Sequence, residues 1–142
     1  MARLDGKQQR SAVFLTVDPG DGKPIHIIGT HLENGDEQQY KAARSQAYRD
    51  IIAKWDGQSR TVFLGDFNTY PRDVPPGWAE LNIPLDAGFH TPQDVDRCTM
   101  ATSNENCPDW IMASPDVVLS PVTIVVDRPD HRPITALVTF PS

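Results

Sequence analysis

The stretch Val62-Phe63-Leu64-Gly65-Asp66-Phe67-Asn68 is the centre of organisation of the chain. An apolar run ends in Gly65, and a carboxylate and a carboxamide follow two residues apart. This order predicts a buried strand that presents Asp66 and Asn68 on one face at its C-terminal end. A carboxylate can hold a hard cation or take a proton, and a carboxamide can donate to a phosphoryl oxygen. An ordinary Asx turn after a strand is the alternative.

A hairpin and a long helix are predicted on the N-terminal side of this stretch. Strands over 11–17 and 24–29 flank a turn cluster of Asp, Pro and Gly at 18–22. A helix is predicted over 36–55, with Asp36 and Glu37 in its first turn, an apolar stripe at spacings of three and four, and Gly57 at its end. The next strand covers 61–64, so the order strand–helix–strand predicts that 24–29 and 61–64 are parallel neighbours. His31 and Asp66 should then lie side by side.

Shorter elements are predicted in the second half of the chain. Residues 70–97 contain few strand signals, apart from a short helix at 78–81. Strands are predicted over 97–101 and 109–113 on either side of a turn at 103–106. Two more follow, over 117–126, with Pro121 indicating an edge or a bulge, and over 134–140. Because no repeat or linker divides the sequence, we expect one domain over residues 1–142.

Composition narrows the classes of function. The net charge is −6 and the pI about 5.0, which argues against broad non-specific binding to nucleic acid. An acidic chain can still act on phosphates through a bound metal ion, because the ion supplies the local positive charge. No run of about 18 apolar residues and no leader pattern is present, so a soluble chain without a transmembrane segment is expected. Cys98 and Cys107 form no CxxC pair, which argues against zinc. They are either a disulfide in an exported protein or two free thiols in the cytosol.

Four small polar clusters are candidates for chemistry. Each cluster alone is compatible with a structural role, such as a turn residue or a histidine at a strand end. Taken together at strand ends, they suit metal-assisted hydrolysis of a phosphodiester or phosphomonoester, which needs carboxylates for a hard cation, a base for water and donors for phosphoryl oxygens. The clusters are His31, Asp66 with Asn68, Asp109, and Asp130 with His131.

The sequence around these residues resembles a known family. The blocks are Gly29-Thr30-His31-Leu32, Leu64-Gly65-Asp66-Phe67-Asn68, Asp109-Trp110-Ile111 and Asp130-His131-Arg132-Pro133-Ile134. In order and spacing they resemble the last four signature blocks of the endonuclease/exonuclease/phosphatase superfamily, which has the DNase I-like fold. The resemblance covers residues 11–140. It implies an α+β, four-layer α/β/β/α sandwich with mixed sheets, of which this chain would supply the C-terminal portion.

The resemblance also shows two differences from the family pattern. Family members are nearly twice as long, and their first half supplies an Asn and a metal-binding Glu that have no counterpart here. The chain is therefore expected to be an N-terminally truncated domain. Pro129 stands where the family has a serine before the Asp-His pair.

Roles for the acid–base residues follow from the resemblance. It implies that His131 is the general base or acid that acts with the attacking water. Asp109 would orient His131 and stabilise its charge. His31 would donate to the phosphate or the leaving group.

Metal and phosphate ligands follow in the same way. The resemblance implies that Asp130 binds the metal, and that Asp66 positions or deprotonates the nucleophile, directly or through the metal. Asn68 would bind the scissile phosphate. The expected cation is Mg²⁺, with Mn²⁺ or Ca²⁺ as alternatives.

The function implied is that of a Mg²⁺-dependent phosphoric ester hydrolase, a nuclease or a phosphatase. Its substrate would be a nucleic acid, a phospholipid headgroup or an inositol phosphate, selected by the loops at 69–97. The acidic balance and a Cys98–Cys107 bridge would favour an exported protein. Because the metal-binding Glu is missing, the alternative is a catalytically incomplete fragment or a non-catalytic binding or structural domain of the same fold.

Overall fold

A computed structural model describes residues 2–4, 10–128 and 130–142 of the chain. Pro129, the predicted departure from the family pattern, lies outside the described residues. The strands are β1 (Ala2–Leu4), β2 (Arg10–Val17), β3 (Ile25–His31), β4 (Thr61–Asp66), β5 (Asp109–Ala113), β6 (Val118–Leu119), β7 (Thr123–Ile124), β8 (Ile134–Thr135) and β9 (Val138–Thr139). The helices are α1 (Gln38–Trp55) and α2 (Asn82–Asp86), with a 3₁₀ helix at Ala79–Leu81.

The main sheet is mixed and has the strand order β1-β2-β3-β4-β5. β2 and β3 are antiparallel, which confirms the predicted hairpin. β3 and β4 are parallel neighbours joined through α1, which confirms the predicted crossover. β5 then pairs antiparallel with β4. The end of β3, the end of β4 and the start of β5 therefore meet at one edge of the sheet.

Helix α1 begins later than the sequence indicates. Glu37 is the N-cap residue with an extended backbone (φ −68°, ψ 151°), and the first turn contains no acidic residue, so the placement of Asp36 and Glu37 in that turn was wrong. The extended backbone of Glu37 sets this later start, and Gly35 before it is also non-helical, with a φ of +130° and the Tyr40 ring packed against it. At the other end Asp56 adopts a left-handed conformation and donates to Ile52 O.

The core lies between α1 and the sheet and extends to the segment after β4. Tyr48 packs edge-on against Phe67, with ring centroids 5.9 Å apart, and its hydroxyl lies 2.7 Å from Thr69 Oγ1. Trp110 Nε1 donates to Thr69 O at 2.8 Å. Thr69 follows Asn68 directly, so the predicted site segment is fixed by the core on both of its sides. The face of α1 that contains Tyr48 is therefore a packing surface.

Three of the predicted strands are shorter or absent. Residues 97–101 form no strand, because Arg97 N donates to the Asp94 carboxylate at 3.0 Å and Ala101 O accepts from the Arg132 guanidinium at 3.2 Å. The predicted strand at 117–126 divides at Pro121, which has no N–H to donate, into β6 and β7. These pair with β9 and β8, into which the predicted strand at 134–140 divides.

The two faces of the sheet differ in their cover. On the face opposite α1, Val62 and Ile111 pack with residues of the small strands β6, β8 and β9. Further along this sheet, Val13, Leu15 and Val17 of β2 are exposed. Among the described residues, none of the helices combines the length and apolarity that a bilayer crossing requires.

Candidate active site

The parallel register of β3 and β4 places His31 opposite Asp66. Their side chains meet, with His31 Nε2 lying 3.3 Å from Asp66 Oδ2. This close approach depends on Gly65, which pairs with Thr30 and has a φ of +144°. A Cβ on residue 65 would lie 1.9 Å from Thr30 O, so no other residue fits there without moving one of the strands.

Replacing Gly65 with alanine should destabilise the chain by about 2–5 kcal/mol, because positive-φ strain and backbone overlap add together. Gly29→Ala is the matched control on the neighbouring strand, since a Cβ there meets nothing within 4 Å. Urea denaturation of both variants measures the difference. Equal stability of the two variants would contradict the role assigned to Gly65.

Strand β4 ends at Asp66, so the prediction that Asp66 and Asn68 share one face of an extended strand was wrong, and the two residues form a turn. The backbone N–H of Asn68 donates to Asp66 Oδ1 at 3.0 Å, so the predicted alternative of an Asx turn is present. Asn68 has a φ of +46°, and its Nδ2 donates to Leu32 O at 2.8 Å. The turn fixes Oδ1 of Asp66, and the other oxygen, Oδ2, faces His31 and His131. One Nδ2 proton of Asn68 remains for another acceptor.

His131 lies at the centre of the site, between three carboxylates. Its Nδ1 is 3.5 Å from Asp109 Oδ2, and its Nε2 is 3.8 Å from Asp66 Oδ2 and 3.6 Å from Asp130 Oδ1. The ring is half-exposed, and the backbone φ of +44° is unusual for histidine. The structure therefore brings together the residues that the sequence singled out at four separate places.

Asp109 is held from two sides at the start of β5. It pairs with Asp66 in the β4–β5 register, and its Oδ2 accepts a hydrogen bond of 2.6 Å from the Thr102 hydroxyl. Its backbone O accepts from Gln93 Nε2 at 2.9 Å. Thr102 and Gln93 were not predicted as site residues. The position of Thr102 between the two cysteines is the only sequence signal that could have drawn attention to it.

The surroundings of Asp66 disfavour the charged form of its carboxyl group. Burial and, after it, the nearby Asp109 carboxylate raise its pKa above the ordinary value, against the opposing effects of the Asn68 N–H and the two histidines. A carboxylate whose charge is disfavoured, next to a second carboxylate, provides a place for a cation or for a shared proton.

A metal ion fits the donor set of this site. One ligand atom each from Asp66, Asp109 and His131 lies within 4.8 Å of the others. Carboxylate oxygens with an imidazole suit Mg²⁺ or Mn²⁺. Asp130, the other predicted metal ligand, is outside this group; its side chain is 71% exposed and accepts from Ser103 Oγ at 3.1 Å. Among the described residues Asp66 therefore belongs to the compact donor group and Asp130 lies outside it.

The two cysteines are joined as Cys98–Cys107, with Cα atoms 5.5 Å apart. Of the two alternatives left open by the sequence, the structure contains the disulfide. The bond closes a loop directly before β5.

Comparison with solved structures identifies the fold. A structure titled endonuclease/exonuclease/phosphatase from Beutenbergia cavernae matches 95% of this chain with a TM-score of 0.72 at 18% identity. The fold is that of the endonuclease/exonuclease/phosphatase family. This confirms the predicted α+β DNase I-like fold. No protein-family model and no curated protein matches the sequence.

Other structures with the endonuclease/exonuclease/phosphatase fold include two named enzymes or domains. The human Nocturnin catalytic domain with bound sulfate matches 96% of this chain with a TM-score of 0.71 at 15% identity. A 3′-5′ exonuclease from Neisseria meningitidis matches 94% with a TM-score of 0.56 at 23% identity. The chain spans 40% of the length of the Beutenbergia structure, 56% of Nocturnin and 66% of the exonuclease.

Proposed function

We propose that this chain supplies the acid–base half of a metal-assisted phosphoesterase site. One observation above all supports this proposal, namely that His131 lies within 3.8 Å of Asp66, Asp109 and Asp130 at the edge of the sheet. Structures of the same fold include a 3′-5′ exonuclease and a 3′ phosphatase bound to a product DNA hairpin, both from Neisseria. Phosphoryl transfer is the reaction class that best uses such a group of carboxylates and imidazoles.

Of the compact donor group, Asp66 would hold the cation together with Asp130 from outside the group, and Asp109 and His131 would be left for proton transfer. Both Asp66 and Asp130 lie on the Nε2 side of His131. Burial raises the pKa of Asp66, so a nearby cation would stabilise its charged form. A bound Mg²⁺ would neutralise phosphoryl oxygens and lower the pKa of a water molecule. Asp109 lies on the other side of the imidazole, which suits it for orientation of the ring.

His131 and Asp109 would act as the proton-transfer pair. With the Nδ1 proton of His131 directed to Asp109 Oδ2, the Nε2 atom is left to take a proton from water or return one to the leaving oxygen. The Asp109 carboxylate would stabilise the imidazolium that forms. Asp66 faces the same Nε2 atom and would hold the nucleophile in line.

Two further side chains would bind the phosphate. His31 Nε2 lies 3.3 Å from Asp66 Oδ2, and its side chain is 57% exposed, so it can reach a ligand above the sheet edge. Asn68 is fixed by Leu32 O and keeps one Nδ2 proton for a phosphoryl oxygen. Together they would supply the donors that charge build-up in the transition state requires.

We further propose that the substrate is a nucleic acid phosphate ester. The basis is the 3′ phosphatase and exonuclease titles of two neighbours. In the predicted specificity loops Tyr70 packs against Trp78 with centroids 4.6 Å apart, and because Trp78 is buried, Tyr70 is the member of this pair that could contact a base. The net charge of −6 is consistent with recognition of a single end or gap rather than of a long duplex.

A substrate panel tests this function. Chelator-treated chain is incubated with a DNA duplex, a 3′-phosphorylated oligonucleotide, a choline phospholipid and an inositol polyphosphate, each with Mg²⁺ or with EDTA. We expect Mg²⁺-dependent release of nucleotide or phosphate from a nucleic acid substrate only, and none in EDTA. Turnover that is equal in EDTA, or confined to the lipid or the inositol phosphate, would overturn the corresponding part of the proposal.

A non-catalytic binding role is the second candidate. The exposed apolar side chains Val13, Leu15 and Val17 on one face of β2 favour it, because such a surface suits contact with another protein surface. The same panel separates the two functions. A non-catalytic role predicts no turnover of any substrate in the panel, whereas turnover would exclude a purely non-catalytic role.

A further inference from the structure

The loop closed by the disulfide, residues 98–107, is packed against the candidate site; we name it the cystine loop. Ser103 and Asn106 pair across a tight turn inside it, and Thr102 N donates to Asn106 O at 2.9 Å. The loop is thus ordered by its own backbone as well as by the Cys98–Cys107 bond. Its side chains and carbonyls have partners among the residues of the site.

Thr102 makes the closest of these contacts. It is fully buried, and its hydroxyl donates to Asp109 Oδ2 at 2.6 Å. The same oxygen lies 3.5 Å from His131 Nδ1. A carboxylate oxygen that accepts from a fixed hydroxyl keeps a single orientation, and its remaining lone pair is then directed to the imidazole.

Arg132 connects the cystine loop to the segment that contains His131. Its backbone N–H donates to Thr102 O at 2.6 Å, and its guanidinium donates to Ala101 O at 3.2 Å and Asn104 O at 3.1 Å. Arg132 directly follows His131 in the chain. Its hydrogen bonds therefore help to hold the left-handed backbone conformation of His131, which is unfavourable by itself. The cystine loop therefore contacts both members of the Asp109–His131 pair, one directly and one through the next residue.

We propose that Thr102 is a positioning residue for the Asp109–His131 pair and that the Cys98–Cys107 disulfide keeps it in place. This inference rests on the proposed function, because it assigns Thr102 to the acid–base pair of that site. The disulfide restricts the conformations open to the loop, so less conformational entropy is lost when the Thr102 hydroxyl is held against Asp109. Thr102 itself touches neither substrate nor metal in this scheme.

The first test compares Thr102→Val with Thr102→Ser in the full chain. Valine keeps the shape without the donor, and serine keeps the donor. We expect Thr102→Val to lower kcat by about 10–100-fold with KM changed less than about threefold, and Thr102→Ser to stay within about threefold of wild type in kcat. Equal kcat in all three proteins, or equal losses in both variants, would overturn the proposal.

The second test does not depend on turnover. NMR of the four imidazoles at one fixed pH should show ring signals of His131 displaced in Thr102→Val and restored in Thr102→Ser, with His26 and His90 unchanged as internal controls. If the wild-type chain shows no turnover, the proposed function fails. The NMR measurement still tests whether the Thr102 hydroxyl positions the Asp109–His131 pair. Unmoved His131 signals in a folded Thr102→Val variant would overturn the positioning role.

A third variant tests the disulfide and covers the case in which Thr102→Val does not fold. The double variant Cys98→Ser/Cys107→Ser leaves Thr102 in place and removes the crosslink. We expect a loss of about 10-fold in kcat, KM close to wild type and displaced His131 signals. Wild-type kcat together with unmoved His131 signals in this variant would show that the disulfide has no part in holding Thr102.

Discussion

Replacing His131 with alanine should lower kcat by about 10²–10⁴-fold without unfolding the chain. The imidazole is half-exposed, so its loss leaves no cavity in the core. Its Nε2 atom faces Asp66 and Asp130 and its Nδ1 atom faces Asp109, so the variant lacks the imidazole that connects the three carboxylates.

His26→Ala is the matched control for this loss. His26 lies at the other end of β3 from His31, and the contact of its Nδ1 atom with the Thr16 hydroxyl is exposed. Steady-state kinetics at saturating Mg²⁺ should give wild-type kcat for His26→Ala, and circular dichroism should show both variants folded. A folded His131→Ala protein that keeps wild-type turnover would contradict the assignment of His131.

Replacing Asp66 with asparagine should have opposite effects on activity and on stability. We expect kcat to fall by about 10²–10³-fold, because the carboxylate that faces both histidines is lost. Asparagine keeps an oxygen for the Asn68 N–H and removes a charge that burial and the Asp109 carboxylate disfavour. In EDTA at neutral pH the midpoint of thermal unfolding should therefore rise by about 1–4 °C.

The pH dependence of this stability difference follows from the sign of the pKa shift. The folded chain raises the pKa of Asp66 above its ordinary value of 3.8, so the folded state binds the proton more tightly than the unfolded state. The contribution of Asp66 to the stability of the wild type therefore declines as the pH rises from the ordinary value through the raised one. Thermal midpoints across that window should show the advantage of Asp66→Asn growing with pH. A variant that is less stable than wild type at every pH would contradict this account of Asp66.

The part of the site that depends on β3, α1 and β4 could be predicted from the sequence. The hairpin turn, the periodicity of the helix and the apolar strand together require a parallel crossover, and a crossover requires His31 to lie next to Asp66. The steric role of Gly65 was not apparent, because the sequence does not indicate how near the Thr30 carbonyl approaches. That distance is a property of two strands in register rather than of either strand alone.

The part of the site around the cystine loop could not be predicted in the same way. The local pattern of residues 97–101 predicts a strand. The structure has none there, because the Asp94 and Arg132 side chains bind backbone groups of this segment. Thr102 and Arg132 contribute through a buried hydroxyl and three backbone carbonyls, and such contacts leave no periodicity in a sequence. The predicted metal pair Asp66 and Asp130 remains a proposal, since Asp130 lies outside the compact donor group.

The most direct test of the central claim is the Mg²⁺-dependent turnover of bis(4-nitrophenyl) phosphate, an unspecific phosphodiester that requires no binding loop. The chelator-treated chain is assayed before and after Mg²⁺ is restored, beside His131→Ala under the same conditions. The account predicts turnover that appears only with Mg²⁺ and is lost in the variant. Turnover that needs no metal, turnover retained by His131→Ala, or a folded wild-type chain with no turnover at all would contradict it.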